Sequence, residues 1–273
     1  MKIAVLGATG TLGAELIRQL LINYPKAEII AFSRCELKQK ELANRFPSIK
    51  CVIGDIRDRD SLRSALVGVL LVYHVAALKH IEIMEQNPEE SVKTNILGTI
   101  NVCSVAKELG IKNVLFSSTD KAVNPINVYG MCKGISEKIM LNNGFIVFRW
   151  GNVLGSRGSA LHYFIEQIKN HRPVNITDMQ MTRFWITIEN AVEFMLSVPF
   201  SSSRVYIPEM KAAKVTGIIR AIGNIYNKTP TLTETWLRPG EKIHESISAD
   251  LNSKNAPQFT SKELIEILRP YCT

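Results

Sequence analysis

The chain has 273 residues, the size of one large domain or two small ones, and a chain of that length folds without disulfide or metal staples. Apolar residues make up 46% and charged residues 21%, which excludes a disordered or fibrous protein, and no run approaches the ~18 uninterrupted apolar residues of a membrane helix. Lysine and arginine total 33 against 25 acids, a formal charge of +8, but they are spread along the chain; the clustered patch of a nucleic-acid binder is missing, and anionic small-molecule substrates fit better.

The predicted elements alternate from the start. A strand over 2–6 precedes a helix over 11–23, a strand over 28–32 a helix over 36–46, and a strand over 50–53 a short helix over 61–66. A fourth strand spans 70–74, and a long helix runs over 88–109 with Pro88 at its tolerated first position. A strand over 112–118, a helix over 127–142 and a strand over 144–149 complete the pattern. Strand–helix alternation with near-continuously apolar strands predicts βαβ units and a parallel sheet covered on both faces. Beyond Gly151 the pattern turns irregular, with Gly and Pro breaks, and predicts a smaller loop-rich lobe over the carboxyl edge of the sheet.

Between the first strand and helix lies Gly7-Ala8-Thr9-Gly10-Thr11-Leu12-Gly13. Gly7 permits a tight turn, Gly10 a close approach to a pyrophosphate, and Gly13 close helix packing, with Thr9, Thr11 and Leu12 alongside. At the end of the second strand stand Ser33 and Arg34, with Lys38 one turn on and no acid. A hydroxyl and two cations suit a 2′-phosphate, so the expected cofactor is NADP. A charge-assisted hydrogen bond is worth about 1.5–3 kcal/mol, so Arg34 alone favours NADP over NAD by roughly ten- to a hundredfold. Asp55, with Ile56, is placed for the adenine, or Asp55 caps the next helix. Ala76, Ala77 and Lys79 follow the fourth strand and join the cofactor-binding candidates. The fold class is thus α/β, a Rossmann-type doubly wound sheet: 1–150 the NADP-binding domain, 151–273 mainly a substrate-binding lobe with segments returning to the sheet.

Tyr129 and Lys133 share one face of a helix, where an ammonium beside the phenol lowers its pKa and makes it a general base. Upstream, at the end of the fifth strand, lies Thr119-Asp120-Lys121. Five scattered cysteines (Cys35, Cys51, Cys103, Cys132 and Cys272) form no Cys-x-x-Cys pair, so neither disulfides nor a metal is expected. The start reaches glycine too early for a signal peptide, and a reducing, cytoplasmic location is expected. His80 and His244 read as loop residues, and Trp150, Trp185 and Trp236 as packing residues.

The strings SRCELKQ, GDIRD, AALKHIEIMEQNPEESVKTNILGT, STDKAVNPINVYGMCK, RWGNVLGSRGS, ITDMQMTRFWIT and RPGEKIHE carry a resemblance. The chain resembles the extended short-chain dehydrogenase/reductases, and within them the C5-inverting UDP-N-acetylglucosamine 4,6-dehydratases. It departs in a shorter segment between Lys138 and Phe145 and an early end after RPGEK. The membrane-anchored dehydratases that retain C5 configuration are disfavoured, and NPINVYG resembles members that feed pseudaminic acid synthesis.

The resemblance implies a UDP-N-acetylhexosamine substrate, a homo-oligomer, and an internal oxidation–reduction with loss of water. Tyr129 takes the 4-hydroxyl proton as hydride passes to NADP⁺, Lys133 tunes Tyr129 and holds the nicotinamide ribose, and Thr119 bonds the same hydroxyl. Lys121 removes the C5 proton and Asp120 protonates the departing 6-hydroxyl. Hydride returns to C6, and C5 is reprotonated from the opposite face. Lys121 needs a lowered pKa for this, which Lys133 and the nicotinamide ring supply; the alternative is a simple ion pair with Asp120. Asn152, Val153 and Arg157 line the sugar-nucleotide cleft, with Lys79 nearby. Arg183 and Arg238 clamp the diphosphate, and Glu241 bonds a ribose hydroxyl. The competing readings are a UDP-sugar 4-epimerase, a non-catalytic NADP-binding protein and a nucleic-acid binder.

Overall fold

The computed structural model describes residues 1–200 and 204–272. The first half runs β1 (Lys2–Leu6), α1 (Thr11–Asn23), β2 (Glu28–Ser33), α2 (Glu36–Arg45), β3 (Lys50–Ile53), α3 (Arg59–Leu66), β4 (Leu71–His74), α4 (Ile81–Gln86), α5 (Pro88–Ser91), α6 (Gly98–Glu108), β5 (Asn113–Ser117), α7 (Val128–Asn142) and β6 (Ile146–Phe148). The second half runs β7 (Asn152–Val153), α8 (Ala160–Lys169), β8 (Val174–Ile176), β9 (Thr182–Ile186), α9 (Ile188–Ser197), β10 (Val205–Tyr206), β11 (Lys211–Lys214), α10 (Val215–Ile225), β12 (Leu232–Glu234) and α11 (Ser261–Leu268).

Seven strands form one parallel sheet in the order β10-β6-β5-β4-β1-β2-β3. Its strands alternate between two cores, as side chains of period two require. Ile3, Val5, Ile29, Ala31, Leu71 and Tyr73 join one core, and Ala4, Leu6, Ile30, Phe32 and Val72 the other. Strand order reverses between β1 and β4, so the loops after them part and open a crevice at their carboxyl ends.

Two later segments return to this sheet. The α9 helix packs beside α1, and β10 pairs with β6 through Val205↔Val147 and Tyr206↔Phe148. The remaining segments form a three-stranded sheet, β11-β9-β7, and the pair β12-β8, with α8, α10 and α11 sharing a separate core around Leu161, Ile218 and Leu264. Among the described residues, no helix is long and apolar enough to cross a membrane.

The predicted helix over 88–109 is not continuous. It opens as α5, passes through a π-helical stretch, Val92–Leu97, and resumes as α6. The buried Asn95 of that stretch accepts from the Leu78 amide at 2.8 Å and donates to the Leu78 carbonyl at 2.9 Å. The wider π turn thus points a polar side chain inward, where it fixes the loop after β4. The α4 helix is additional to the predicted elements.

Candidate active site

Gly7 has a φ of +88°, and a Cβ there would lie 2.7 Å from the Ala76 backbone. A Cβ on Gly13 would lie 2.4 Å from the Gly7 carbonyl oxygen. Side chains here would fill the cradle before α1, whose N-cap residue Gly10 contributes no capping side chain. A pyrophosphate fits such a helix start. The tip of β2 adds a second indication, since the Ser33 hydroxyl is buried with no hydrogen-bond partner. Arg34 is exposed next to it, and its guanidinium lies 3.5 Å from Asp55; Lys38 is exposed in the first turn of α2. These residues fit a dinucleotide.

Asp55 does not cap α3. That role belongs to Asp58, which accepts from the Asp60 and Ser61 amides at 3.0 and 3.1 Å. Asp55 is gripped by the Arg57 side chain at 2.9 and 2.7 Å and by its amide at 2.9 Å. Burial opposes its carboxylate, but these bonds and Arg34 hold its pKa below the usual range. The Ile56 side chain is core and packs where Gly98 leaves room, and its carbonyl accepts from Asn101 Nδ2 at 3.1 Å. Leu12 packs against the core. Ala76 backs the glycine turn, and Ala77 is exposed beyond it. The loop after β7 crosses the glycine loop: the Arg157 amide donates to Thr11 Oγ1 at 3.0 Å, its guanidinium reaches the Thr9 carbonyl, and Lys79 Nζ donates to Ser156 Oγ at 2.6 Å.

The catalytic candidates gather at the carboxyl end of β5. The Asp120 amide donates to the Trp150 carbonyl at 2.8 Å, pinning this turn to the end of β6. Thr119 Oγ1 donates to Asp120 Oδ1 at 3.0 Å, and Lys121 Nζ lies 3.1 Å from the same oxygen. Lys121 Nζ also lies 3.4 Å from Asn152 Oδ1 and 3.4 Å from Glu245 Oε1. Asp120 is fully buried, and its Oδ2 has no hydrogen-bond partner.

Asn127 caps α7 by accepting from the Gly130 amide at 2.7 Å, and its Nδ2 donates to the Gly240 carbonyl at 2.7 Å. Gly130 brings α7 against the catalytic turn, where a Cβ would sit 2.2 Å from the Lys121 carbonyl oxygen. Gly130→Ala is expected to destabilise the protein by roughly 1–3 kcal/mol by overpacking and to displace Tyr129. Thermal unfolding alongside turnover checks this; a variant with unchanged midpoint and rate contradicts it.

Burial and ion pairing set the charges of these side chains. Lys133 is drawn toward the end of β5. Its Nζ donates to the Ser117 carbonyl at 2.5 Å and lies 3.8 Å from the Phe116 ring centre, and burial brings its own pKa down to about 7. Burial pushes the Tyr129 phenol up to about 12, against the opposing pull of Lys121 and a hydrogen bond with Thr119. Lys121, in turn, is not lowered. Burial works against its ammonium, but Asp120 and Glu245 outweigh burial and hold the pKa above the ordinary lysine value. Asp120 is raised by its burial and by Glu245, despite Lys121.

Arg183 is buried and turned inward. It donates to the carbonyls of Thr182, Ile243 and Lys242 at 2.8, 3.0 and 2.8 Å and lies 3.6 Å from Glu241. Arg238 is exposed and pairs with Glu82 of α4. Val153 pairs with Ile186 in the small sheet. Trp150 and Trp185 are packed, but Trp236 is 93% exposed and not a packing residue. Sequence reading missed Asn95 and Glu245. Glu245 sits at the end of RPGEKIHE, two residues before the buried Ile247, and that apolar spacing was the available signal of an inward-facing acid.

Parallel sheet order, glycine cradle and the Tyr129/Lys133 pair on α7 define an extended short-chain dehydrogenase/reductase. The chain belongs to the polysaccharide biosynthesis protein family, whose model matches residues 3–266. It is 41% identical over 265 residues to the UDP-N-acetylglucosamine 4,6-dehydratase (inverting) of Campylobacter jejuni, covering 91% of this chain and 78% of that one. It is 35% identical over 260 residues to the UDP-glucose 4-epimerase of Rickettsia massiliae, covering 89% and 76%. In structure it is similar to the dTDP-glucose 4,6-dehydratase DesIV of Streptomyces venezuelae, with NAD and TYD bound, at a TM-score of 0.86 and 19% identity, covering 99% and 97%.

Proposed function

We propose that the protein is a C5-inverting UDP-N-acetylglucosamine 4,6-dehydratase. The observation that carries this reading is the buried Asp120–Lys121 pair at the end of β5, with Asp120 Oδ2 unpartnered. Exchange of configuration at C4 alone needs a proton acceptor for one hydroxyl. Elimination across C5 and C6 needs both an acid and a base, and a carboxyl beside an amine provides them.

When bound, a nicotinamide cofactor would supply the hydride acceptor and donor. The cradle of Gly7, Gly10 and Gly13, with Thr9, Thr11 and Leu12, would hold its pyrophosphate; Ala76, Ala77 and Lys79 would border its nicotinamide end, and Lys133 its ribose. Thr119 orients the 4-hydroxyl and Tyr129 accepts its proton. Lys121 takes the C5 proton, and Asp120 Oδ2 protonates the leaving 6-hydroxyl. Asn152, Val153 and Arg157 border the sugar nucleotide, with Arg238 the more accessible phosphate clamp. Arg183 and Glu241 complete the cleft from beneath. The reading includes a cytoplasmic location and a homo-oligomer; exposed Leu97, Ile100, Met131 and Ile135 around α6 and α7 support the oligomer.

Incubation with UDP-N-acetylglucosamine and mass analysis tests this: the product is lighter by one water. A product of unchanged mass supports the epimerase reading instead.

The reading takes NADP as the resident cofactor, on Ser33, Arg34 and Lys38. Arg34→Ala is expected to weaken NADP⁺ binding roughly ten- to a hundredfold and to leave NAD⁺ binding nearly unchanged. Calorimetric titration of both cofactors decides it, and equal wild-type affinities would show that these residues do not read the 2′-phosphate.

A further inference from the structure

We propose that Glu245 is a positioning residue that holds a single proton on the Asp120–Lys121 pair, and that this shared proton furnishes both the acid and the base of the elimination. The inference rests on the dehydratase reading.

Glu245 is 2% exposed and arrives from the segment after RPGEK, far along the chain from the catalytic turn. Its Oε1 lies 3.4 Å from Lys121 Nζ, which also lies 3.1 Å from Asp120 Oδ1. Its Oε2 lies 3.4 Å from Lys242 Nζ, which also donates to the Val123 carbonyl at 2.8 Å. The Glu245 amide is fixed by Ser253 Oγ at 3.0 Å, and Ser253 is itself buried against Thr182. The carboxylate therefore lies between two ammonium groups, with Oε2 making no hydrogen bond, and Ser253 fixes its backbone.

The groups facing the pair are few. Tyr129 comes from α7, Arg183 from β9, and Glu245 and Lys242 from the segment after RPGEK. Burial favours a neutral Glu245, but Lys121, Arg183 and Lys242 outweigh it and keep it ionised. Its negative charge raises the affinity of both Asp120 and Lys121 for protons.

Elimination requires a protonated carboxyl and a neutral amine at the same time. The resting pair is Asp120 carboxylate and Lys121 ammonium, with one proton between them. Transfer of that proton from Nζ to Asp120 yields the acid and the base together. Lys121 then takes the C5 proton, Asp120 gives its proton to the 6-oxygen, the C6–O bond breaks, and the ion pair is restored. The competent state holds one proton. Glu245 sets the pH at which that proton leaves and the pH at which a second one enters.

The test compares the wild type with Glu245→Gln and Glu245→Asp. The pH profile of kcat for water loss is expected to be bell-shaped in the wild type. In Glu245→Gln both limbs move toward acid by about one pH unit or more, because a neutral neighbour no longer retains the protons. Glu245→Asp restores most of the wild-type profile. In parallel, ¹³C-lysine-labelled protein is titrated by NMR, with the Lys121 signal identified by its loss in Lys121→Arg; in Glu245→Gln it titrates at lower pH. A Glu245→Gln enzyme that is slower by one factor at every pH, with both limbs and the Lys121 titration unmoved, makes Glu245 merely structural and overturns the proposal. A wild type that releases no water overturns the dehydratase reading, and the Lys121 titration then still decides what Glu245 does.

Discussion

Tyr129→Phe is expected to lower turnover by roughly 10²–10⁴-fold, the range of a lost general acid–base group. The hydroxyl it removes sits beside Thr119 at the mouth of the catalytic turn, where the 4-hydroxyl must lose its proton before any later step begins. Burial, with Asp120 nearby, holds that phenol up at about 12 against the pull of Lys121 and Thr119. The change removes one oxygen and keeps the ring, so the unfolding midpoint should move little. Substrate incubated with this variant should show neither C4 oxidation nor deuterium uptake at C5. A variant with near-normal turnover would place the first proton transfer on another group.

Lys121→Ala is expected to stop water loss by a similar factor, roughly 10²–10⁴-fold, but at a later step. Oxidation at C4 relies on Tyr129 and Thr119, which remain. The C4-oxidised sugar should therefore form without elimination, and solvent deuterium at C5 should vanish. The same substitution leaves Asp120 and Glu245 buried without their shared ammonium. Removing one partner of a buried ion pair costs about 3–5 kcal/mol, so a fall in the unfolding midpoint is expected as well. Lys121→Met keeps most of the volume, and a variant of either kind that still exchanges C5 with solvent would require a different base.

The sheet was legible because its strands are short apolar runs between amphipathic helices, and β1 to β6 fall within a residue or two of their expected positions. The glycine loop and the Thr119-Asp120-Lys121 turn were legible because each directly follows a strand. The α4 helix was not, since IEIMEQ is only six residues long and abuts the separate helix opened by Pro88. The π-helical stretch depends on Asn95 reaching Leu78, a tertiary contact with no local periodicity. Proton affinities were less legible for the same reason. Lys133 donates to the Ser117 carbonyl, and Lys121 gains Glu245 from a segment remote in sequence. Local spacing placed these side chains near one another; burial and distant partners decide their charge.

The central claim is elimination with inversion at C5. It is tested most directly by NMR of the product formed from UDP-N-acetylglucosamine in deuterated water. The account predicts a 4-keto-6-deoxy sugar, one water lighter, with deuterium at C5 and the L configuration there. A product of unchanged mass that differs from substrate only at C4, with protium retained at C5, would contradict it.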